Sequence, residues 1–152
     1  MQIAVIGSGA ADAERAEEVG RLLAARGCVV VCGGLDEVMA AAARGAKAAG
    51  GTTLGILPGE SVSAANAWID YAVATGTGHA RNLAVVASSA AAIAVGGSWG
   101  TLSEIAFARV LGRPVVLLEP GWAGVAGEGV SRAATPAEAV DLALGLAAAE
   151  AA

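Results

Sequence analysis

Glu104 stands three residues after Thr101, behind the loop Gly96-Gly97-Ser98-Trp99-Gly100-Thr101 and at the head of a helix-like stretch, LSEIAFARVL. Glycines let a backbone approach a ligand closely, and the first amides of a helix are unsatisfied donors, so such a loop can hold a phosphate. Thr101 adds a hydroxyl, and Glu104 shares its helix face. A carboxylate is not needed to bind an anion, because like charges repel. Glu104 is therefore a candidate for acting on the sugar or base of a nucleotide. Arg81 lies in the first turn after a second glycine loop, Thr75-Gly76-Thr77-Gly78, where its paired donors could clamp the same anion. Asn82 could add an amide, and His79 is read as lining the loop rather than as catalytic.

Other chemistries fit less well. Gly96, Ser98 and Gly100 also spell the G-x-S-x-G turn of a hydrolase serine, but that chemistry needs a histidine base downstream, and the single histidine, His79, lies upstream. Ser98 reads better as a helix cap. A dinucleotide fingerprint would need a third glycine where Asp12 stands, and an acidic residue at the end of the second strand, where Cys32-Gly33-Gly34 stands. The single lysine, Lys47, falls in the last turn of an expected helix, where a cation is favoured by the helix dipole, so pyridoxal-phosphate chemistry is disfavoured. One histidine and two separated cysteines make no metal cluster, and no metal is expected.

The elements that must position these residues alternate along the chain. Strands are expected at Gln2–Ile6, Cys28–Cys32, Thr52–Leu57, Tyr71–Ala74, Ala91–Val95 and Val115–Glu119. Helices are expected at about Ala13–Arg26, Asp36–Ala49, His79–Ser88, after the Gly96 loop, and from Thr135-Pro136-Ala137-Glu138 to Ala149. In the last, threonine caps, proline takes the first turn and glutamate sits at the capping-box position. Residues 60–70 are irregular, and GWAGVAGEG is a surface loop. Continuous apolar strands between helices imply an α/β, doubly wound parallel sheet covered on both faces, formed by one domain over residues 1–152. In such sheets ligands bind beyond the carboxyl ends of the strands, and GSG, GG, TGTG and GGSWGT stand at four such ends.

Bulk properties narrow the partners. Apolar residues are 56% of the 152, before 22 glycines are counted, so a surplus is expected between subunits of a homo-oligomer. The net charge of −5, with no basic run, argues against nucleic acid as a partner. Met1–Ala10 has no basic leader region, and the apolar run Leu83–Val95 is too short for a membrane span of about 20 residues. A cytoplasmic location is expected. Cys28 and Cys32, about 13 Å apart along one strand at roughly 3.3 Å per residue, are beyond disulfide reach and read as buried thiols.

With GGLDEVMAAAARGAKAAGG, GILPG, TGTGHARN and GGSWGTLSE in order, the chain resembles the LOG-like (SLOG) Rossmann proteins, often mislabelled lysine decarboxylases, over residues 1 to about 119. The set including ARN and GTLSE looks closest to the short bacterial branch grouped with the molybdenum cofactor carrier protein. The resemblance implies a Rossmann-like sheet of about seven parallel strands, a dimer or tetramer, and a phosphate at the Gly97–Thr101 loop. It implies ligand contacts from Gly7, Ser8, Gly33, Gly34, Asn82, Gly96, Gly97, Ser98, Trp99, Gly100 and Thr101. By analogy with the phosphoribohydrolases of the group, Glu104 and Arg81 would be the catalytic pair, Glu104 supporting an oxocarbenium-like sugar and its water. Three departures weigh against hydrolysis more than against binding. Ser98 replaces the second glycine of P-G-G-x-G-T, Asn82 replaces a lysine, and Glu37 replaces the glycine of G-G-x-x-G-V-M. Two readings stay open, neither requiring a cofactor: a carrier or sensor of a phosphorylated ligand such as a nucleotide or molybdopterin-type cofactor, and a nucleoside 5′-monophosphate phosphoribohydrolase.

Overall fold

The computed structural model describes residues 1–35 and 37–150. Seven strands follow the chain as β1 (Gln2–Ile6), β2 (Val29–Cys32), β3 (Thr52–Leu57), β4 (Tyr71–Ala74), β5 (Ala91–Val95), β6 (Val115–Leu118) and β7 (Val130–Ala133). Among the described residues five α-helices accompany them: α1 (Ala13–Ala25), α2 (Val38–Ala48), α3 (Arg81–Ala87), α4 (Trp99–Val110) and α5 (Pro136–Glu150). The expected helix start at Asp36 lies outside the described residues. All strand pairs are parallel, in the order β4-β3-β2-β1-β5-β6-β7. The fold is the expected Rossmann-like α/β sheet.

Strand burial explains the layers. Every residue of β5 is buried, as are Ile3 to Ile6 of β1, because both faces of the sheet are covered. Ile3, Val5, Ile93 and Val95 pack with α1, α2 and α5. Their alternates Ala4, Ile6, Ala92 and Ala94 pack with Val85 and Val86 of α3 and Ile105 and Ala108 of α4. Helices α1 and α2 meet closely because two glycines face them: a Cβ at Gly20 would overlap the Ala42 carbonyl, and one at Gly45 the Glu17 carbonyl.

Three local details differ from the sequence expectations. Strand β7 went unread because VSRA is short and only its last residue is fully buried. Helix α4 starts at Trp99, and Ser98 holds the cap position without a side-chain cap bond; its Oγ lies 3.4 Å from Ser8 Oγ instead. At the start of α5 the threonine cap forms, with Glu138 N–H donating to Thr135 Oγ1 at 3.2 Å, but the other half of the capping box differs. The Glu138 carboxylate accepts from Ala134 N–H at 2.8 Å, one residue before the usual capping-box donor.

The chain order reverses at β1, which lies between β2 and β5. Ile6 at the end of β1 is in register with Ala94 near the end of β5, so the Gly7 and Gly96 loops emerge side by side. That is the crevice where open α/β sheets receive ligands.

Candidate functional site

A cavity of about 190 Å³ opens at this crevice. Gly7 and Ser8 of the β1 loop form one wall, with Gly33 and Met39 beside them. Ser98, Gly100, Thr101 and Glu104 come from the start of α4, and His79, Arg81 and Asn82 from the turn into α3. Leu102 N–H donates to Ser98 O at 3.0 Å, which closes the first turn of α4. The amides of Trp99, Gly100 and Thr101 precede it, as the open first turn of a helix requires. Gly97, at φ +120°, brings the backbone so near Thr101 that a Cβ there would overlap the Thr101 hydroxyl.

Arg81 is 8% exposed. Its Nη1 donates to Ile56 O at 3.2 Å, and its buried Nε has no acceptor among the described residues. Gly33 makes room for it, since a Cβ at Gly33 would overlap the guanidinium. A guanidinium this buried with an unsatisfied donor lacks part of its usual hydrogen bonding, and the residue lines the cavity.

Glu104, 7% exposed, lines the same cavity. Among the described residues it makes no ion pair within 4.0 Å. Burial pushes its pKa up to about 8, with Arg81 pulling the other way. Burial likewise lowers that of Arg81, opposed by the charges of Glu104 and Cys32. Near neutral pH Glu104 is thus mostly a neutral carboxyl, and the repulsion expected between it and a bound anion is largely removed. Behind the cavity, the fully buried Cys32 thiol is pushed up to about 11, which makes it a poor nucleophile. Cys28 and Cys32 are both free and buried, as expected.

Asn82 also borders the cavity, but its amide is committed. Nδ2 donates to Gly100 O at 3.3 Å and to Ser103 Oγ at 3.1 Å, while Ser103 Oγ donates to Gly100 O at 2.6 Å. These bonds tie the start of α3 to the first turn of α4. The structure therefore brings Glu104, Arg81, Gly7, Ser8, Gly33, Asn82, Ser98, Gly100 and Thr101 to one cavity.

Gly34, Gly96, Gly97 and Trp99 lie outside that cavity. Gly34 O accepts from Asn66 N–H at 2.9 Å, and Gly96 O accepts from Trp122 Nε1 at 3.0 Å. Gly97, Ser98 and Trp99 line a second depression of about 240 Å³ together with Leu102 and Trp122. Sequence reasoning missed Met39 and Trp122. Trp122 was read as part of a surface loop, and nothing local signals its return to the Gly96 loop. The Glu37 carboxylate accepts from Gly9 N–H at 2.5 Å, so it is neither in the cavity wall nor directed freely outward.

The sequence profile of the SLOG cluster4 family matches residues 1–145. An uncharacterized protein of Archaeoglobus fulgidus is 46% identical over 144 residues, 93% of each chain. The molybdenum cofactor binding protein of Rippkaea orientalis superposes with a TM-score of 0.89 at 35% identity, over 95% of this chain and 96% of that one. The molybdenum cofactor carrier protein of Chlamydomonas reinhardtii gives 0.87 at 36% identity, over 97% and 98%. The glycine loops, the sheet order and these matches agree: the chain belongs to the SLOG cluster4 family.

Proposed function

We propose that this chain binds a phosphorylated small molecule, a nucleotide or a pterin-type cofactor, and acts as its carrier or sensor. The phosphate would sit on the first-turn amides of α4 and be met by Arg81. One observation carries the reading: a buried arginine, its Nε without an acceptor among the described residues, lines the cavity that also receives the start of α4. Similarity to proteins described as binding or carrying the molybdenum cofactor supports a cofactor of that type as cargo. The residues fit its anionic part. Gly100 and Thr101 would supply amides, Thr101 and Ser98 hydroxyls, and Arg81 the compensating charge.

Calorimetric titration with ribose 5-phosphate and AMP tests the site. Binding by the native protein and loss of most of it in Arg81→Ala is the expected result. Arg81→Lys keeps the charge but loses the fork, and should recover only part of the affinity. Affinity unchanged in Arg81→Ala sinks the assignment.

Glu104 favours a second reading, a nucleoside 5′-monophosphate phosphoribohydrolase. A buried carboxyl with a raised pKa is suited to giving a proton to a leaving base at neutral pH. Among the described residues no second carboxylate lines the cavity to activate water or shield the sugar cation. Binding is the better-supported function for that reason. Incubation with AMP and other monophosphates separates the two. Free base that vanishes with Glu104→Gln identifies the enzyme, and tight binding without turnover identifies the carrier.

A further inference from the structure

We infer that the depression between Trp99 and Trp122 is an aromatic subsite, holding the flat fused heteroaromatic ring of the same ligand whose phosphate binds at the start of α4. The inference rests on the phosphate-site reading and adds the chemical class of the rest of the ligand. Ser98 belongs to both hollows, so one molecule can place an anion on one side of this residue and a ring on the other. The apolar side is lined by two indoles and Leu102, surfaces on which purine and pterin rings stack without needing a particular hydrogen-bond pattern.

Trp122 is built in rather than left at the surface. Its Nε1 donates to Gly96 O at 3.0 Å, which joins it to the glycine loop itself. Arg132 Nη2 donates to the carbonyls of Trp122 and Val125, at 2.5 and 2.9 Å, and Arg132 Nη1 to that of Gly121 at 3.2 Å. The same guanidinium pairs with Glu119. Trp122 nevertheless sits at φ +58°, a conformation that a bulky residue keeps only where its surroundings enforce it. Trp99 is the opposite case. It is 84% exposed on the first residue of α4, a large apolar surface that the fold does not use. An anchored indole and an uncovered one therefore share a hollow next to the anion cavity.

Because Trp99 is so exposed, Trp99→Ala should fold normally, and it is the decisive variant. Equilibrium titration would compare GMP and neopterin phosphate, which carry fused pyrimidinone rings, with ribose 5-phosphate, which carries none. The native protein should favour a ring-bearing ligand by roughly tenfold or more. Preference for GMP over neopterin phosphate, or the reverse, distinguishes a purine from a pterin source. Trp99→Ala should erase the margin between ring-bearing ligands and ribose 5-phosphate, whereas Arg81→Ala should weaken every ligand and keep the margin. A Trp68→Phe protein keeps Trp99 and Trp122 as its two tryptophans. Saturation with the preferred ring-bearing ligand should quench its emission, and ribose 5-phosphate should not. Equal affinity of the native protein for ligands with and without a ring, a margin that survives Trp99→Ala, or binding without quenching overturns the subsite and leaves the phosphate site standing. Failure of all three ligands to bind overturns both.

Discussion

The guanidinium of Arg81 rests against Gly33, across 48 residues of sequence, with no room between them for a methyl group. The turn after β2 is thereby matched to the turn into α3, and the position of the cavity's cation depends on a missing side chain. Gly33→Ala should push Arg81 and Met39 aside, since both lie where the new Cβ would go. The expected cost is about 1–3 kcal/mol from overpacking. For a chain of this size that corresponds to a melting temperature lower by roughly 3–10 °C. Phosphate affinity should fall with it. A variant with native melting behaviour and native affinity would show that Arg81 has freedom to move.

Glu104 should make the fold less stable as pH rises. Its folded pKa, about 8, lies above the usual carboxyl value of 4.5, so the folded chain holds more protons than the unfolded one between these limits. Stability therefore declines from about pH 4.5 upward and levels off above about pH 8. Glu104→Gln removes the ionisation while keeping the shape. It should be more stable than the native protein by up to about 3 kcal/mol at pH 7, with the advantage fading toward pH 4. Urea denaturation at pH 4, 7 and 9 measures the trend. A constant difference across that range would mean that Glu104 does not titrate as its burial implies.

Much of the fold was legible because parallel strands buried on both faces are nearly continuous apolar runs, as AAIAV of β5 and VVLL of β6 are. Strand β7 escaped because it carries Arg132 at its centre, a residue occupied in holding the loop before it. In the cavity, the residues that announce themselves by type and place were found: an arginine after one glycine loop, a glutamate after another. The commitments of those residues were not legible. That the Asn82 amide is occupied by Gly100 and Ser103, and that Trp122 returns to Gly96, depends on how separate turns meet.

Self-association is expected from the surface of the edge strand. Tyr71 and Val73 of β4 are exposed, with Trp68 just before them, and among the described residues β4 pairs with β3 alone. An open strand edge carrying large apolar side chains is a template for pairing unless it is covered. Sedimentation velocity at micromolar concentration should give a dimer or tetramer. Tyr71→Lys should shift it toward monomer, and a purely monomeric native protein would refute the expectation.

Glu37 replaces a glycine of the resembled pattern and still adopts a glycine-like backbone, φ +57° and ψ −122°. Such a conformation costs a residue with a side chain on the order of 1–3 kcal/mol. Against that, its carboxylate accepts from Gly9 N–H at 2.5 Å, a charge-assisted bond at an exposed site that contributes about 1 kcal/mol. The two nearly cancel, which separates two substitutions. Glu37→Gly loses the bond and the strain together, so its stability should stay within about 1 kcal/mol of native. Glu37→Ala loses the bond but keeps the strain, and should be less stable by about 1 kcal/mol. Both remove a negative charge beside the loop after β1 and release the Gly9 amide. Affinity for ribose 5-phosphate should therefore rise in both, more at low salt than at high salt. Denaturation and titration of the two variants side by side test this balance. If glycine proves no more stable than alanine at position 37, the backbone there carries no strain, and the glutamate is held by its hydrogen bond alone.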